Sequence, residues 1–96
     1  MKTFACQLTS PELQKRKATI IRELKSKVVE RRELEHGFSY RFLGNENLDM
    51  VFEFIKTERQ CCPFFDFQVQ VGLDNVTLKV TGEPGAKEFM YSELDL

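Results

Sequence analysis

The chain has no tryptophan, one histidine and only three cysteines among 96 residues. Each scarcity removes a class of chemistry. With His36 as the sole imidazole, a His-rich zinc site is excluded and little general-base chemistry remains near neutral pH. Three cysteines are too few for a disulfide-stapled scaffold, and an odd number leaves at least one thiol outside any intramolecular pairing. No apolar run approaches the roughly 20 residues that span a bilayer. The start, Met1-Lys2-Thr3-Phe4-Ala5-Cys6, is too short in apolar residues for a secretory leader before Thr9-Ser10-Pro11. The expectation is a cytoplasmic protein with all three thiols reduced.

What is present suits one compact domain over residues 1–96. The apolar fraction of 42% is enough for a core without staples. Net charge is −1, unevenly spread: through Leu34 nine Lys/Arg face four Asp/Glu, and from Glu35 onward five face eleven. The basic part falls mostly on one helix and reads as a solvated face. No aromatic or glycine-rich nucleic-acid motif accompanies it.

Thr3 to Leu8 alternates Phe4, Cys6 and Leu8, a short strand. Thr9-Ser10-Pro11-Glu12 starts a helix, with Thr9 or Ser10 as cap, that turns Leu13, Ile20, Ile21 and Leu24 to the core. Val28 to Leu34 and Phe38 to Leu43 form a hairpin around Glu35-His36-Gly37, where Gly37 supplies a positive φ. Gly44-Asn45-Glu46-Asn47 caps a second helix from about Leu48 to Cys61, whose apolar face carries Leu48, Val51, Phe52 and Ile55 and then Glu58 and Cys62. Pro63 ends it. Phe65, Phe67, Val69 and Val71 alternate with polar residues, and Val76, Leu78 and Val80 return. A short last helix follows Gly82-Glu83-Pro84-Gly85. The order β-α-β-β-α-β-β-α predicts an α+β fold: an antiparallel-rich sheet with helices on one face, a variant of the ferredoxin-like arrangement.

The segment with chemical content is Glu58-Arg59-Gln60-Cys61-Cys62-Pro63-Phe64-Phe65. Dithiol redox enzymes place Cys-X-X-Cys at a helix N-terminus, whose dipole lowers a thiol pKa. Here the pair is adjacent and ends a helix, and a bond between the neighbours would be strained. The electronegative helix end instead favours a cation, which itself deprotonates its thiols. Thiolates select soft ions: Hg(II), Cu(I), Zn(II) or As(III). Cys61 and Cys62 are the candidate ligands, Cys6 the candidate third sulfur, and Glu58 a ligand or outer partner. Three other readings stand beside this one. The cysteines are buried packing groups in an interaction domain, dimeric through an apolar patch at Phe64. Glu58 is an ordinary helix carboxylate paired with Lys56, Arg59 or a hairpin arginine. Or Cys61 or Cys62 is a nucleophile with Glu58 as proton acceptor.

The motif Glu58-Arg59-X-Cys61-Cys62-Pro63-Phe64-Phe65-X-Phe67 resembles one in small bacterial proteins of uncharacterised activity. Some of those occur alongside, or attached to, MerR-type metal-responsive regulators. The resemblance extends to Ala5-Cys6-Gln7-Leu8 and to Leu78 through Phe89. It implies metal or metalloid handling at Cys6, Glu58, Cys61 and Cys62. The chain has no winged-helix segment, so a regulatory role implies a separate regulator protein as partner.

Overall fold

A computed structural model describes residues 10–94 and 96. The first predicted strand, with Cys6, lies outside them. The described elements are α1 (Pro11–Lys25), β1 (Val28–Leu34), β2 (Gly37–Leu43), α2 (Leu48–Cys61), β3 (Asp66–Val71), β4 (Asn75–Thr81) and α3 (Ala86–Glu93). The fold is α+β, as the sequence order implies.

Two hairpins, β1–β2 and β3–β4, join through β2 and β4 into one antiparallel sheet of order β1-β2-β4-β3. Period-2 alternation then sorts the side chains. Register sets Phe38, Tyr40 and Phe42 opposite Val80, Leu78 and Val76, and these opposite Phe67, Val69 and Val71. That apolar face is covered by helices. Phe42, Val76, Leu78 and Val80 are completely buried, together with Leu24 of α1, Val51 of α2 and Leu94 after α3. The other face is polar, with Ser39, Arg41, Thr77, Lys79, Gln68 and Gln70 side by side.

Local chemistry explains the boundaries. Ser10 caps α1 through its hydroxyl to the Leu13 N–H at 3.5 Å, and Pro11 opens the helix, where its missing N–H costs nothing. Asn47 occupies the cap position of α2, but its side chain makes no capping bond; the helix starts on the Asn47 carbonyl, which accepts from the Val51 N–H at 2.9 Å. The left-handed residue before α3 is Gly85, φ 97°.

Three sequence expectations are corrected here. Gly37 does not turn the hairpin with a positive φ; Glu35 and His36 make the turn, and Gly37 already lies in β2. Its glycine serves close approach, because a Cβ there would fall 1.8 Å from the Val80 carbonyl oxygen. On α2 the inward residue is Phe54, 1% exposed, whereas Phe52 is 45% exposed. The buried stripe runs Val51, Phe54, Glu58, Cys61, a helical spacing shifted from the one expected. Finally, Leu13 is 36% exposed rather than turned to the core; Phe64 is half-buried, its ring against Phe65 and Phe89 at centroid distances of 5.0 and 5.7 Å.

Candidate metal centre

α2 delivers three groups to one point. Glu58 and Cys61 lie on its inward stripe, one turn apart, and Cys62 is the C-cap, held by its N–H on the Glu58 carbonyl. All three residues are fully buried. A carboxylate oxygen of Glu58 and the two Sγ atoms lie within 4.8 Å of one another. Cys62 Sγ is 3.3 Å from Cys61 Sγ and directs its thiol toward it. The neighbours are not bonded to each other, in keeping with the strain of such a ring: Cys62 is a free thiol. Cys61, however, is engaged in a disulfide, so the expectation of three reduced thiols does not hold. Cys6 lies outside the described residues, so its predicted place as third sulfur is not described.

Two further residues complete the cluster. Lys17 reaches in from α1, 7% exposed, with Nζ 3.1 Å from Cys61 Sγ and 3.4 Å from Glu58 Oε1. It also forms a close ion pair with Glu93 of α3, whose Oε1 is 3.5 Å from Cys61 Sγ. Three helices thus meet at one ammonium. Glu58 is paired with this lysine rather than with Lys56, Arg59 or a hairpin arginine. Lys17 and Glu93 are not among the site residues the sequence predicts. The signal for Lys17 is its spacing, three residues before Ile20 and seven before Leu24, on the buried stripe of α1.

Burial governs the electrostatics. It pushes the Glu58 carboxyl up to about 7, against the pull of Lys17. It also pushes the Cys62 thiol up to about 12, reinforced by the negative charge of Glu58. Cys62 is therefore no ready thiolate, and the lowered pKa that a nucleophilic role needs is not found there. Neither carboxylate oxygen of Glu58 receives a hydrogen bond of normal geometry. Lys17 pairs with one of its oxygens at 3.4 Å. A fully buried carboxylate left in this state is costly and has capacity for a ligand.

Among the other singled-out residues, His36 is a half-exposed turn residue beside Glu35. No described helix is long and apolar enough to cross a membrane. No protein-family model, curated protein or solved structure matches the chain.

Proposed function

We propose that the reduced protein binds one soft, thiophilic ion through Cys61, Cys62 and Glu58. The observation that carries this reading is the Glu58 carboxylate. It is fully buried, neither of its oxygens receives a hydrogen bond of normal geometry, its nearest charge is the Lys17 ammonium at 3.4 Å, and two sulfurs lie within 4.8 Å of it. Two thiolates with one carboxylate favour Hg(II), Cu(I), Zn(II) or As(III) over hard ions. The electronegative end of α2 favours a cation at this spot. The ion also supplies what the isolated thiols lack, since coordination drives off the protons that burial holds on. Likeness of the Glu58–Phe67 motif to proteins found beside metal-responsive regulators supports the same reading. A separate regulator protein is the partner that reading implies.

A disulfide sulfur is not a thiolate ligand, so loading requires prior reduction at Cys61 by a thiol or phosphine reductant. The test is an anaerobic titration of reduced, desalted protein with Zn(II), Hg(II) and As(III), followed by thiolate-to-metal absorption and mass spectrometry. One ion per chain is expected. Binding is lost in the Cys61→Ser, Cys62→Ser double variant, weakened in Glu58→Gln and absent before reduction. Equal uptake by the wild type and the double variant refutes the site.

A further inference from the structure

We infer that Lys17 is the resident cation of this site, and that an incoming thiophilic ion exchanges with its ammonium and so loosens the start of α1. The inference rests on the proposed ion-binding function and specifies what loading does to the fold.

Lysines seldom bury their ammonium; the side chain usually runs along an apolar surface and ends in water. Lys17 does the opposite. Its Nζ touches Cys61 Sγ and Glu58 Oε1 at 3.1 and 3.4 Å, two of the three groups the reduced site offers to an ion, and is paired with Glu93, whose Oε1 also lies 3.5 Å from Cys61 Sγ. An ion drawn to Cys61 and Glu58 therefore meets a positive charge already in contact with both. In a buried site such like charges a few ångströms apart repel strongly. The ammonium has somewhere to go: Lys17 sits on a helix whose preceding residues, Pro11 to Arg16, are all exposed. Rotation about its side-chain bonds is the movement by which Nζ would reach water; its partner Glu93 is itself 22% exposed at the side chain.

The cost falls on α1. Lys17 is the first buried residue of that helix, and Ile20 and Leu24 follow it into the core. Withdrawal of Lys17 removes the first core anchor and leaves Ile20 as the next. Ion occupancy is thereby transmitted from the end of α2 to the N-terminal half of α1. The differential contact required for such coupling is explicit: Lys17 is bound in the empty site and expelled from the filled one.

The experiment uses the reduced full chain with Zn(II) as probe, in two arms. In the first, backbone hydrogen exchange of the wild type is measured with and without Zn(II). Faster exchange over residues 14–18, with residues 51–62 unchanged or slower, is expected. Unchanged or slower exchange over 14–18 in Zn(II)-loaded protein overturns the inference. In the second, the Lys17→Met and Lys17→Gln variants are titrated after their fold is checked by circular dichroism. Removing the competing charge is expected to tighten Zn(II) binding about tenfold or more. Binding that is equal or weaker in a folded variant shows that Lys17 assists the ion, and overturns the exchange while leaving the binding function intact. If wild type and variants all fail to bind, and the Cys61→Ser, Cys62→Ser variant behaves identically, the binding function itself fails.

Discussion

The Glu58 carboxyl offers a direct measure of what the buried cluster costs. Replacing it by glutamine keeps the volume and removes the titration. Burial moves the group from an ordinary 4.5 to about 7 in the folded protein. Because the folded state holds the proton more tightly, the native state is favoured below about pH 4.5 and loses that advantage as pH rises. The loss accumulates between about 4.5 and about 7 and is complete above the folded value. At about 1.4 kcal/mol per pH unit, the full penalty is about 3 kcal/mol. Urea midpoints of the wild type should therefore fall from pH 5 to pH 8 more steeply than those of Glu58→Gln, measured with chelator present and without reductant in both. Between pH 4 and pH 8 the stability difference is expected to shift in the variant's favour by about 3 kcal/mol, whatever offset the loss of the Lys17 pairing adds at every pH. Parallel profiles across that range would refute the account of Glu58 as a strained, desolvated carboxylate.

Two simpler perturbations test the fold that holds the site. Phe54→Ala should cost about 3–5 kcal/mol in urea denaturation, since the ring is 1% exposed and meets Phe67 edge-on at 6.3 Å, whereas Phe52→Ala should cost less than about 1 kcal/mol. Gly37→Ala should destabilise by about 2 kcal/mol or more, because the new Cβ meets backbone of β4 rather than a side chain able to move away; thermal unfolding measures it.

Much of this architecture can be read from the chain before the structure is seen. The hairpin residues Val28 to Leu34 and the helix Leu48 to Cys61 follow from alternation, turn residues and Pro63, all local signals. Local signals also place Glu58 and Cys62 inward near a helix end. The errors come where neighbours decide. Phe52 and Phe54 are both plausible core residues on α2, and only the position of the sheet beneath selects Phe54. Lys17 reads as one more cation of a basic helix, because its burial depends on Glu58 and Glu93, distant carboxylates of two other helices. Likewise nothing in the adjacent Cys61-Cys62 pair announces that one sulfur is oxidised while its neighbour stays a thiol 3.3 Å away.

The missing side chain at Gly37 has a consequence for how the two hairpins find each other. Among the described residues they pair through β2 and β4 alone, along the full length from Gly37 opposite Thr81 to Leu43 opposite Asn75. A slip of one residue would turn Phe38, Tyr40 and Phe42 to the polar side. It would also bring Phe38 to the place where Gly37 admits no Cβ. The wrong alignment is thus penalised twice, once by water on the aromatic rings and once by collision with backbone. An absent methyl group acts here as an alignment mark, favouring the native pairing over its neighbour.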